Sequence, residues 1–97
     1  MAVSLTDRIV VRSSVICREL SGETVLLNLE SGVYYGLDVV GTRVWQLLLQ
    51  DKTLADVCDV MIDEFDVSRS VLQEDVAKLV GDLCEQGIVA RRDASHP

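Results

Sequence analysis

The hydrophobic pattern of this chain changes period once, at Asp38, and that switch limits the folds open to it. Before Asp38 the apolar residues come in short, β-branched runs separated by turn residues. These are Arg8-Ile9-Val10-Val11-Arg12, Val15-Ile16-Cys17-Arg18-Glu19-Leu20, Thr24-Val25-Leu26-Leu27-Asn28-Leu29 and Val33-Tyr34-Tyr35-Gly36-Leu37. After Asp38 they recur at helical spacing. Strands followed by helices, rather than alternating with them, predict an α+β domain with an antiparallel sheet.

The turns suggest how the strands pair. Ser21-Gly22 closes the second run on the third, and Glu30-Ser31-Gly32 closes the third on the fourth. A three-residue loop with Gly in the left-handed region predicts that Leu29 pairs with Val33, Leu27 with Tyr35 and Val25 with Leu37. Those six residues then form one uniformly apolar face. The opposite face carries Leu26, Asn28, Tyr34 and Gly36. On this reading Tyr35 enters the core and Tyr34 points outward, since successive strand side chains alternate. The first run is a lead-in strand or an extended arm.

Three helices are expected after the switch. Asp38 caps the first, which runs to about Gln50 with Val40, Val44, Trp45, Leu47 and Leu48 on its apolar side. Thr53 starts the second with Asp56 three residues on, a capping box, and Leu54, Val57, Cys58, Met61, Ile62 and Phe65 form its core face. Ser68 caps the third, Val67 staples onto Leu72, and Leu72, Val76, Leu79, Val80 and Leu83 form its stripe up to the stop at Gly87. Ile88 and Val89 pack back after that stop. A chain of 97 residues is one domain. The expected organisation is an N-terminal arm at 1–7, the domain at 8–90 and a polar tail at 91–97. A three-stranded meander followed by three helices is the winged helix-turn-helix architecture with its sheet placed first.

Composition and charge exclude several functions. The net charge is -7 and the isoelectric point about 4.4, unfavourable for binding phosphate backbones. The outward side of the third helix carries Glu74, Asp75, Asp82 and Glu85 against Lys78, which argues against a DNA-recognition helix. Cys17, Cys58 and Cys84 lack metal or disulfide spacing. The one histidine, His96, sits in the expected tail, so no His-based catalytic pair is available. Gly32, Gly36 and Gly41 are not followed by the Lys-Ser/Thr of a phosphate loop. No apolar run is long enough for a membrane helix and no signal peptide is evident, so a cytoplasmic protein is expected. No catalytic residue, metal site or cofactor is expected. Among the acidic residues Asp75 stands apart, at the rim of the third helix's apolar stripe. It suits either ordinary helix surface or a contact to a basic or amide group of a ligand.

The last strand raises a further question. As the end of a meander, Val33 to Leu37 has a free edge that carries Val and Tyr and no charge, so nothing protects it against pairing. It is covered by the protein's own structure, by a second copy in a weak dimer, or by a peptide that adds as another strand.

The run from Thr24 to Asp38, the helix Asp38-Val39-Val40-Gly41-Thr42-Arg43-Val44-Trp45-Gln46-Leu47-Leu48, and Glu74-Asp75-Val76 with Leu79-Val80, Leu83 and Gly87-Ile88-Val89 resemble PqqD-like proteins. Asp38 stands where that family often has Asn. The resemblance covers about residues 9 to 90 and implies a RiPP recognition element, a non-catalytic winged helix-turn-helix domain. Such a domain binds the leader of a ribosomally made precursor peptide and presents it to modifying enzymes. The leader would add beside Val33, Tyr34, Tyr35, Gly36 and Leu37 and pack against Leu72, Asp75, Val76 and Leu79. The Gly-x-Tyr-Tyr-Gly-Leu run looks more like the lasso-peptide type, which works with a separate leader peptidase and a cyclase. The alternative is the type that assists a radical S-adenosylmethionine enzyme in pyrroloquinoline quinone synthesis. A winged-helix regulator of transcription and an edge-paired homodimer are the remaining rivals.

Overall fold

Residues 4–92 are described by a computed structural model of the chain. Strands β1 (Arg8–Val11), β2 (Val15–Leu20), β3 (Glu23–Asn28) and β4 (Tyr34–Leu37) precede helices α1 (Val39–Leu48), α2 (Leu54–Glu64) and α3 (Arg69–Glu85). A final strand, β5 (Val89–Arg92), follows. Strands β2, β3 and β4 form an antiparallel sheet in that order, and β1 pairs antiparallel with β5 in a second, two-stranded sheet. This is an α+β arrangement with a three-stranded sheet and three helices. His96 lies outside the described residues.

The helix ends form where the capping residues stand. The Asp38 carboxylate accepts from the Gly41 N–H at 2.8 Å. Thr53 and Asp56 complete a reciprocal capping box, and the Ser68 hydroxyl accepts from the Val71 N–H. The β2–β3 turn uses Ser21 and Gly22, both with positive φ, which suits the right-handed twist of a two-residue hairpin. The buried stripes of the helices, including Trp45, Leu47, Leu54, Met61, Val76 and Val80, meet in one core.

Strand β3 departs from the expected register. Leu26 pairs with Tyr35, Leu27 with Tyr34 and Thr24 with Leu37, one residue away from the pairing predicted from a three-residue loop. The loop has four residues, 29–32, because the Asn28 N–H donates to the Val33 carbonyl at 2.9 Å. The inner face of β3 is therefore Thr24, Leu26 and Asn28, all buried, whereas Val25 and Leu29 are exposed. Tyr34 still points outward and Tyr35 inward, opposite different partners from those expected. Two hydrogen-bonded polar groups explain the inversion. Thr24 shares a 2.9 Å bond with Thr42 of α1. The Asn28 amide, 5% exposed, donates to the Gly87 carbonyl and accepts from the Ser14 hydroxyl and the Glu30 N–H. Partnered in this way, buried polar side chains carry little of the usual desolvation cost.

At both ends of the described residues the chain is tied into the fold. Asp7 is 1% exposed, and its carboxylate accepts from the Ser4 N–H and the Arg91 guanidinium. The Leu5 and Asp7 carbonyls accept from Ala55 and Leu54 at the start of α2. Arg91 and Arg92, placed in the tail by the polar character of 90–97, belong to β5. Arg8 and Arg92 face each other across β1 and β5, and Asp51 forms an ion pair with both.

Candidate functional site

Strand β4 is the last strand of its sheet, and no other strand among the described residues pairs with its outer edge. Which of its backbone groups reach that edge follows from the ladder. Residues of an antiparallel pair alternate between turning N–H and C=O toward the partner and away from it. The Asn28 N–H bonds the Val33 carbonyl on one side, and the Leu29 N–H bonds the Ser14 carbonyl on the other. Asn28, Leu26 and Thr24 thus turn toward β4, so Val33, Tyr35 and Leu37 turn toward β3. Tyr34 and Gly36 are left with N–H and C=O directed at the open edge. A Cβ at Gly36 would meet no atom within 4 Å, so the fold itself does not require a glycine there.

Beside this edge lies a groove of about 490 Å³ walled on the far side by α3. Leu72 and Val76 belong to its apolar wall while also forming part of the core, and Leu79 is half-buried in it. Asp75 and Lys78 line it as exposed residues, and neither takes part in an ion pair among the described residues. Tyr35 spans from β4 to α3 and donates its hydroxyl to Asp82 at 3.3 Å. Burial, and then the Asp82 carboxylate, push the Tyr35 phenol above its ordinary value.

Of the residues singled out from the sequence, Tyr35, Gly36, Leu37, Leu72, Asp75, Val76 and Leu79 line this one groove. Val33 does not; it lines a neighbouring polar hollow. The Tyr34 side chain is 72% exposed on the outer face of the sheet, so only its backbone serves the edge. The sequence reading missed the contributions of α1 and α2: Val40, Gly41, Met61 and Phe65 also line the groove. The signal was present, because the apolar stripe of α1 is wider than the core needs, and Val40 at its edge is left exposed. Among the described residues no group of His, Cys, Asp and Glu has the geometry to hold a metal. No helix among them is long and apolar enough to cross a membrane.

A free sheet edge facing a helix across an apolar groove defines a class of small α+β domain. The chain belongs to the PqqD family, described as coenzyme PQQ synthesis protein D, which matches residues 23–89. Two solved structures are similar to it. One is TbiB1 in complex with the TbiA(beta) leader peptide, at 30% identity and a TM-score of 0.77, covering 81% of this chain and 92% of the other. The second is lasso peptide synthetase B1 complexed with the leader peptide, at 29% identity and a TM-score of 0.79, covering 86% and 98%. No curated protein matches the chain.

Proposed function

We propose that this protein is a RiPP recognition element of the lasso-peptide type, a winged helix-turn-helix domain that works by binding rather than by catalysis. It captures the leader of a precursor peptide as a fourth strand beside β4 and hands the precursor to a separate leader peptidase and cyclase. The observation that carries this reading is the pairing of an open backbone edge at Tyr34 and Gly36 with a groove beside it. Edge hydrogen bonds supply affinity without regard to sequence, and the apolar wall of Leu72, Val76 and Leu79 supplies selectivity. Both similar solved structures hold leader peptides, and one of them is a lasso peptide synthetase B1, which favours the lasso type over the pyrroloquinoline quinone type. The acidic outward side of α3 disfavours duplex DNA as the partner.

Calorimetry with the leader segment of the precursor encoded nearest to this gene tests the proposal. A dissociation constant between micromolar and nanomolar is expected, about -8 to -12 kcal/mol. Absence of binding would sink it. Two variants locate the site. Leu79→Asp puts a charge on the half-buried groove wall and should abolish binding while circular dichroism stays unchanged. Tyr34→Pro removes an edge N–H that the β3–β4 ladder does not use, which edge strands tolerate. It should weaken binding at least tenfold (about 1.4 kcal/mol or more) with the fold intact. By holding the precursor at the enzyme, the domain would raise its effective concentration there.

A further inference from the structure

The groove beside Tyr35–Leu37 has a neighbour along the same two elements. A second hollow, of about 510 Å³, is lined by Arg12, Ser14, Glu30, Ser31, Glu85 and Gln86, together with Val33 and Gly87. On α3 the first hollow uses Leu72, Asp75, Val76, Leu79 and Asp82, and the second continues with Glu85 and Gln86. That spacing of three and four residues keeps all of them on one helix face. On the strand side the first hollow uses Leu37 back to Tyr35, and the second takes over at Val33 and Ser31. The Tyr35–Asp82 hydrogen bond stands at the junction. From Leu72 to Gln86 the helix rises about 21 Å, the reach of about six residues of extended peptide.

The second hollow is built from three segments that are distant in the chain, and one buried group holds them together. The Asn28 amide bonds the Ser14 hydroxyl, the Glu30 N–H and the Gly87 carbonyl at 2.9–3.0 Å. The floor is thus formed before any ligand arrives, which lowers the ordering cost of binding. The chemistry of its walls also differs from that of the first hollow. It offers hydroxyls, an amide and two carboxylates against one guanidinium, and none of Arg12, Glu30 and Glu85 forms an ion pair among the described residues.

We infer that the peptide path continues past Tyr35 into this second hollow, which takes a lysine- or arginine-bearing segment of the same docked strand. The inference rests on the leader-binding reading. It adds that the footprint has two halves, an apolar anchor beside Leu79 and a basic residue beside Glu30 and Glu85. The residues that line the second hollow follow those of the first on both elements, Val33 after Tyr35 on the strand side and Glu85 after Asp82 on the helix. A cation there gains from two unpaired carboxylates and from the overall charge of -7.

Selection from a displayed library of random peptides about 12 residues long, twice the groove's extended reach, tests this on the full chain. Wild type should enrich an apolar pair with Lys or Arg at a fixed offset of about three to five residues, matching the distance between the hollows. The Glu30→Lys/Glu85→Lys variant alters two exposed side chains and should keep the apolar pair, losing the basic residue or exchanging it for Asp or Glu. For one selected peptide, fluorescence anisotropy should give about tenfold weaker binding when its basic residue becomes Ala. The same loss is expected with Glu85→Gln, and the two losses should not add. An apolar pair with no basic preference, enriched equally by wild type and variant, overturns the second subsite and leaves the leader-binding reading standing. Enrichment of no groove-dependent peptide at all, judged with Leu79→Asp, overturns both.

Discussion

Helix α2 buries Leu54, Val57, Cys58 and Met61 in the core, whereas strand β3 buries Thr24, Leu26 and Asn28 and turns Val25 to solvent, as the loop does with Leu29 just past its end. Both elements face the same core. The helix reaches it with the apolar stripe that its periodicity marks. The strand reaches it with its more polar side, because each buried polar group finds a partner on another element. The contrast shows that a face can be buried through satisfied hydrogen bonds as well as through area, provided the partners come from segments distant in the chain.

The sharpest way to break this comparison is to truncate the two faces of β3 in turn. Leu26 is fully buried, so Leu26→Ala should cost about 2–5 kcal/mol in guanidinium unfolding. Leu29 is 61% exposed, and Leu29→Ala should stay within about 0.5 kcal/mol. The expected three-residue loop demands the reverse order, so this pair decides the register by itself. Next in size is Asn28→Ala, which strands partners on three segments and should cost about 2–3 kcal/mol by the same measurement. A smaller effect of similar kind belongs to Asp7. Asp7→Asn weakens the contact to Arg91 that ties the N-terminal segment to β5, and a loss of about 1–2 kcal/mol is expected.

The smallest effect tests the link between β4 and α3. Tyr35→Phe removes the hydroxyl that Asp82 accepts and should cost about 1 kcal/mol at neutral pH. It should also change the alkaline limb of stability. The folded-state value of the Tyr35 phenol is raised above the ordinary value of 10.0. Its contribution is therefore complete below pH 10 and is lost as pH rises through the folded-state value. Unfolding curves above pH 10 should fall less steeply for Tyr35→Phe than for wild type. Identical slopes would mean that the phenol is equally easy to ionise in both states.

The helical half was legible because its signals are local. Asp38, Thr53 and Ser68 are caps in the structure, and the apolar stripes point to the core as their spacing says except at Val40, which is exposed. The α3 wall of the groove was legible for the same reason, with Leu72, Val76 and Leu79 on one stripe and Asp75 at its margin. The sheet half was less so. Strand β5 was hidden by its arginines, whose pairing depends on Asp7 and Asp51 from distant parts of the chain. The second hollow was invisible, because the residues that line it come from the 12–14 loop, the β3–β4 loop and the end of α3.

What the sequence determined by itself is the order of elements from β2 to α3, the helix starts, the outward Tyr34 and inward Tyr35, and the strand that ends the sheet. Each depends on residues a few positions apart, through capping, periodicity and alternation. What only the tertiary structure decided is the β3 register, the β1–β5 pair and the continuation of the groove past Tyr35. In each of these a polar side chain is buried or bridged by a group far along the chain. Asn28 shows the reason most plainly: its neighbours in sequence make it look like an outward residue, and its partners at Ser14 and Gly87 turn it inward.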